Sequence, residues 1–195
     1  MADYTIIART GKAILQKLRE ELIPDLLKNE NEIGLCEPHE KNDYKVKVCL
    51  YDITENTEIR PEGMVQEGLS QSRYPSIFLN LFYMITVASQ SDLRFRAEEE
   101  ALILGKILQV FHDESMKKNE SLPQNGEVAL KMQLLKLTQE EKAKIWAYPG
   151  VPYKLSLFYR VIPVEIESRL TRGMARVREA SFAFEERTEK DEGVR

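Results

Sequence analysis

Ile77-Phe78-Leu79-Asn80-Leu81-Phe82-Tyr83-Met84-Ile85-Thr86-Val87, entered through Arg73-Tyr74-Pro75 and left through Ser89-Gln90-Ser91-Asp92, decides the fold of this chain. Apolar side chains fill both parities, with Ile77, Leu79, Leu81, Tyr83, Ile85 and Val87 on one face and Phe78, Phe82 and Met84 on the other. A strand so built has no face to offer water and reads as the buried centre of a sheet. Proline at its entrance and serines at its exit bound it. Asn80 interrupts the second face; a buried amide without partners costs about 1–3 kcal/mol, so Asn80 is expected to tie down a neighbouring loop.

Working outward, residues 4–22 put Ile7, Gly11, Ile14, Leu15, Leu18 and Leu22 on one helical stripe, with Lys12, Lys17, Arg19 and Glu20 off it, and Pro24 ends the helix. Residues 44–53 alternate Val46, Val48 and Leu50 against Lys45 and Lys47, a strand with one buried face. Asp92 suits the start of a helix with the stripe Leu93, Ala97, Ala101, Leu104, Leu108 and Phe111, and Glu98 and Glu99 favour its positive end. Beyond a polar loop at 113–126, Val128, Leu130, Met132 and Leu134 alternate with Lys131 and Gln133 as a third strand. Thr138-Gln139-Glu140-Glu141 is a capping box opening a short helix that stops before Pro149-Gly150. Tyr153, Leu155, Leu157, Tyr159 and Val161 make the inner face of a fourth strand. Pro163 then removes a ladder donor and moves the phase to Val164 and Ile166, which asks for a bulge or an edge. The expected architecture is α+β: a mainly antiparallel four-stranded sheet packed against helices, over residues 1–168.

Composition agrees with an ordinary globular domain, at 195 residues with 43% hydrophobic and 31% charged side chains. A net charge of −4 gives no general attraction to nucleic acid or membrane. No apolar run reaches the roughly 18–20 residues that span a bilayer. Met1-Ala2-Asp3 starts neither a basic nor an apolar leader, so synthesis is expected in the cytoplasm, with Cys36 and Cys49 as packed, reduced thiols.

Candidate chemistry is sparse. Gly63 and Gly68 have phosphate-loop spacing, but Leu69 stands where the lysine is needed. His39 and His112 are not spaced as a metal pair, no Cys-x-x-Cys exists, and no serine lies in a nucleophile elbow. Glu98-Glu99-Glu100 diverge by about 100° each around a helix and read as a solvated helix start. No catalytic, metal or cofactor residue is assigned, and the chain is expected not to be an enzyme.

Two segments fall outside the core pattern. Residues 54–72 are either a long structureless loop or a protruding hairpin. Residues 169–195 open with Arg169, Arg172, Arg176 and Arg178, continue as Glu179-Ala180-Ser181-Phe182-Ala183-Phe184 and end in mixed charge. Ala180, Phe182 and Phe184 share one parity, which suits a strand added to the edge of another chain's sheet; a last element of the same domain is the other reading. Arginine clusters serve phosphate or acidic protein patches, and the acidic balance favours protein, with no nucleic acid. We therefore read 169–195 as an arm for contacts between subunits.

Lys144-Ile145-Trp146-Ala147-Tyr148-Pro149-Gly150-Val151-Pro152-Tyr153-Lys154-Leu155-Ser156-Leu157-Phe158-Tyr159, together with the central strand, resembles the small cap or tail-terminator proteins of contractile injection systems and related phage-tail-like particles. The resemblance extends to residues 14–19, 33–38 and 50–53, so it covers most of 1–168. Its motifs are structural, with Asn80, Trp146, Pro149 and Tyr153 as framework or interface anchors. It implies a homo-oligomeric, hexameric ring that closes the inner tube and sheath distal to the baseplate, stops polymerisation and joins sheath to tube. Implied partners are tube and sheath subunits, with a second cap paralogue as a further one and no direct membrane insertion. An adaptor attaching cargo or a membrane anchor to such a particle is the other class.

Overall fold

The computed structural model of the chain describes residues 4–40, 42–59, 63–67, 71–116 and 131–173. In order the elements are helix α1 (Ile6–Leu22), a 3-10 turn (Glu30–Glu32), strands β1 (Ile33–Leu35), β2 (Val46–Glu55), β3 (Val65–Glu67), β4 (Gln71–Arg73) and β5 (Ile77–Val87), helix α2 (Leu93–Met116), strand β6 (Met132–Leu134), helix α3 (Gln139–Ile145), and strands β7 (Ser156–Ile166) and β8 (Thr171–Gly173). The main sheet runs β1-β2-β5-β7-β6 and a small one runs β3-β4-β8.

The apolar run of 77–87 is the middle strand, antiparallel to β2 and to β7. The sheet is mainly antiparallel, as expected, with β1 added parallel to β2 as a fifth strand. Three residues around Gly34 carry no alternation that would announce β1. Gly34 is required there by its neighbour, because a Cβ at this position would stand 2.3 Å from the Tyr44 ring.

One face of the sheet carries the main core. Ile14, Leu18 and Leu22 of α1 and Ile103, Ile107 and Phe111 of α2 bury against Val46, Val48, Leu81, Tyr83, Ile85 and Val161. The α1 stripe is the expected one, with Gly11 letting the helix approach β1 closely: a Cβ there would lie 3.0 Å from Leu35 Cδ1. Lys17 bridges Glu21 and Glu114, at 3.1 and 3.3 Å, and ties α1 to α2. Among the described residues the other face is closed at one end, by Trp146 packed on Cys49, Met84 and Phe158. Phe78, Asn80 and Phe82 on that face are half-buried, so β5 is not fully dry on both sides.

Three expectations need correction. The buried residues of α2 are Ile103, Leu104, Ile107, Val110 and Phe111, whereas Leu93, Ala97 and Ala101 are exposed. Periodicity places residues on a stripe without guaranteeing that anything packs opposite, and among the described residues nothing buries the first turns of α2. Strand β7 starts at Ser156, which pairs with Thr86 near the end of β5; Tyr153 and Leu155 continue the alternation upstream, beyond the paired stretch, and are exposed. Finally, residues 171–173, assigned from sequence to the arm, pair with β4 of the same chain. Of the two readings of 54–72, the hairpin is the one formed, by β3 and β4.

Other local signals act as their chemistry dictates. Thr138 and Glu141 make the capping box reciprocally, with Thr138 N donating to Glu141 Oε2 at 2.7 Å and Glu141 N to Thr138 Oγ1 at 3.3 Å. Pro163 lies in a bulge: Leu79 pairs with Val164 and Leu81 with Val161, so Ile162 and Pro163 together oppose Asn80. Of the third strand expected from Val128, Leu130, Met132 and Leu134, the residues from 132 on form β6, and 128 and 130 lie outside the described residues.

Candidate assembly interface

The groups that sequence reading tested for catalysis are built into the framework. Glu99, read as solvated, accepts hydrogen bonds from Ser89 Oγ and Ser91 Oγ and pairs with Lys45 Nζ at 3.3 Å; Glu100 accepts from Ser89 N at 3.0 Å. Lys45 also reaches Glu32 at 3.1 Å, so one ammonium joins the turn before β1, the start of β2 and the first turns of α2. The serine hydroxyls hold the Glu99 carboxyl below its ordinary value, and Lys45 outweighs burial to do the same for Glu32. Burial alone would lower the Lys45 pKa, but the two carboxylates raise it. The sign follows from linkage: the carboxylates' contribution is present above about 4.5 and is lost as pH falls through their folded values, while that of Lys45 is lost only above about 10.5. Lys45→Met is therefore expected to destabilise at neutral pH and to flatten the decline of stability below pH 4.5, measured by urea unfolding across pH.

Both thiols are free, and burial pushes Cys36 up and Cys49 up to about 12, which leaves them unreactive at neutral pH. Gly63, at φ +82°, leads into β3, and Gly68 lies outside the described residues. Among the described residues no group of three or more His, Cys, Asp or Glu is placed to hold a metal, and no helix is long and apolar enough to cross a membrane.

Asn80 sits opposite the bulge, its Oδ1 accepting from Asn56 Nδ2 at 3.0 Å and its Nδ2 reaching Thr54 Oγ1 at 3.4 Å. Asn56 in turn accepts from Glu58 N and Ile59 N, so the amide of Asn80 anchors the exit of β2. Asn80→Leu is expected to cost about 1–2 kcal/mol in chemical unfolding; unchanged stability would mean that the exit of β2 holds itself. Trp146 is buried, its Nε1 donating to Ser156 Oγ at 3.0 Å. Tyr153 packs edge-on against it at 6.0 Å, and Pro149 is exposed in the turn before Gly150.

Of the residues expected from sequence to make contacts between subunits, Arg169 lies over the Tyr4 ring at 5.7 Å, and Arg172 is exposed on β8 opposite Ser72. The two therefore stand at the small sheet and its approach, where Tyr74 N also bonds to Leu170 O at 3.0 Å and Arg73 pairs with Glu167. Arg176, Arg178, Phe182 and Phe184 lie outside the described residues.

Sequence reading missed two surfaces. On the opening turns of α2, Leu93, Phe95 and Leu102 are 81%, 62% and 56% exposed. Between the C-terminal half of α2 and β6 runs a groove of about 660 Å3, lined by Leu108, Phe111, His112, Met132, Leu134 and Tyr159. The apolar side chains of α2 hinted at the first; the second depends on β6 being an edge, which only the topology reveals.

The Pvc16 N-terminal domain matches residues 10–179. The chain belongs to the Pvc16 N-terminal domain family. Among solved structures, this Pvc16-type fold is similar to the sheath/tube terminator in the extended state of PVC, an extracellular contractile injection system, with 20% identity over 96% of this chain and 66% of the other and a TM-score of 0.64. It is also similar to the tube-terminating cap of the anti-feeding prophage, with 18% identity over 89% of this chain and 59% of the other and a TM-score of 0.58. At such identities the likeness establishes the fold. This Pvc16-type chain thus spans about two thirds or less of those chains' lengths. No curated protein matches it.

Proposed function

We propose that this chain is a structural cap, or tail terminator, that closes the distal end of the inner tube and sheath of a contractile injection system. The observation that carries the reading is the Pvc16 family match over residues 10–179, supported by a fold shared with a sheath/tube terminator and a tube-terminating cap. The protein acts by contact and not by catalysis. One face of a ring receives the last tube and sheath subunits, and the opposite face offers nothing that a further ring matches, so growth stops. Head-to-tail contacts around a closed cycle, six in this reading, give a ring where an open rotation would give a filament. The arm carries Arg176, Arg178, Phe182 and Phe184 to neighbouring subunits, which keeps sheath and tube joined when the sheath contracts.

The test is the mass in solution of the full chain and of a chain truncated after Gly173, with and without tube and sheath subunits. Rings, formed alone or on added tube, are expected for the full chain, with weaker attachment after truncation. A monomer that ignores both partners overturns the reading.

A further inference from the structure

We propose that the outer edge of β6 is the acceptor for residues 180–184 of a second copy of this chain, with Phe182 and Phe184 filling the groove between β6 and α2. The proposal rests on the ring reading above and names the contact that would build it.

The ladder fixes what β6 offers. Leu135 N donates to Phe158 O at 2.8 Å and Ile162 N to Lys131 O at 3.2 Å, so the odd-numbered residues turn their backbone groups to β7. The N–H and C=O of Met132 and Leu134 therefore point the other way, and among the described residues no strand meets them. The opposite edge of the sheet is different: β1 turns the carbonyl of Ile33 outward, and Arg19 Nη2 donates to it at 3.2 Å. Among the described residues no side chain is recorded capping the outer edge of β6 in this way.

A strand added there would place alternate side chains on the face shared by Met132 and Leu134, in the groove. That groove has an aromatic floor, where Phe111 and Tyr159 stack edge-on at 5.2 Å, and its volume of about 660 Å3 admits two phenylalanine rings. Ala180-Ser181-Phe182-Ala183-Phe184 supplies two rings on one parity and small side chains on the other. Charge agrees at one end: β6 is flanked by exposed Lys131 and Lys136, and the tail segment is followed by Glu185 and Glu186, while at its start Arg178 offsets Glu179.

Reach points to a neighbour. Gly173 pairs with Gln71, while Met132 lies, through Val161, level with Leu81. Strand β8 ends in the small sheet, whereas β6 is an edge of the five-stranded one, two strands beyond β5, and residues 174–180 span at most about 25 Å, so the segment is assigned to a second copy, as the ring reading asks.

Full-length Gln133→Cys chains are mixed with full-length Ala183→Cys chains, or with Ser181→Cys to cover the second register, and oxidised. Gln133 alternates with Met132 and Leu134, its side chain accepting from Arg160 Nη2 at 2.8 Å, and positions 181 and 183 alternate in sequence with the two phenylalanines. An interchain disulfide is expected at about ten times its level in either variant alone, and Phe182→Asp added to the Ala183→Cys chain is expected to remove it to a similar extent. No disulfide above those backgrounds, one that survives Phe182→Asp, or closure within a single chain carrying both cysteines overturns the proposal. The mass of the unmodified protein, measured alongside, separates the two readings. Rings without the disulfide sink the acceptor edge and spare the cap, whereas crosslinked chains that never close into rings keep the edge and remove the ring.

Discussion

Trp146→Ala is expected to lower the unfolding free energy by about 3–5 kcal/mol, the range for emptying a buried aromatic site. Trp146, directly after α3, lies in the only cluster on the second face of the sheet among the described residues, with Cys49, Met84 and Phe158, and bonds to Ser156 of β7. Its Nε1 donates to Ser156 Oγ, whose hydroxyl donates onward to Lys154 O at 2.8 Å, so the loss is polar as well as apolar. Trp146→Phe keeps most of the ring volume and removes the indole donor, and is expected to cost about 1–2 kcal/mol. Because this is the sole tryptophan, unfolding of the variants is followed by circular dichroism while its fluorescence reports on the parent. A cost below about 1 kcal/mol for Trp146→Ala would show that α3 docks without it.

Gly34→Val is expected to cost about 2–3 kcal/mol, by overpacking and not by backbone strain. The Tyr44 ring lies directly over Gly34, with three ring atoms 2.3 to 2.6 Å from where a Cβ would be. Tyr44 must swing out, which uncovers the β1 to β2 junction. In a Tyr44→Ala background the same substitution meets an emptied site, and its cost is expected to fall below about 1 kcal/mol. Equal costs in both backgrounds would mean that something other than the ring excludes the side chain.

Where a residue's role was set by its own strand or helix, the sequence revealed it. The bounds of β5 follow from apolar residues on both parities between Pro75 and Ser89, the α1 stripe from helical spacing, the start of α3 from Thr138 and Glu141, and the bulge from Pro163. What stayed hidden depends on a partner. Leu93, Ala97 and Ala101 look like a core stripe, yet among the described residues nothing buries them; Leu155 extends an alternation past the end of its neighbour. Glu99 reads as a solvated charge until the chain brings Lys45, Ser89 and Ser91 to it. The candidate interface was legible only as a tail with two phenylalanines on one parity, and the edge proposed for it belongs to topology.

The lysines bracketing β6 have a consequence for the protein before any partner arrives. A bare edge strand is a template for aggregation, and the cheapest misassembly here is one β6 laid antiparallel on another. Such a pair would bring four ammonium groups, Lys131 and Lys136 of each copy, to the two ends of one short ladder. Three residues of pairing offset little of that repulsion, so like edges are expected to reject each other. The same charges that would favour the acidic end of an arriving tail strand thus stand as gatekeepers against self-sticking in the unassembled pool.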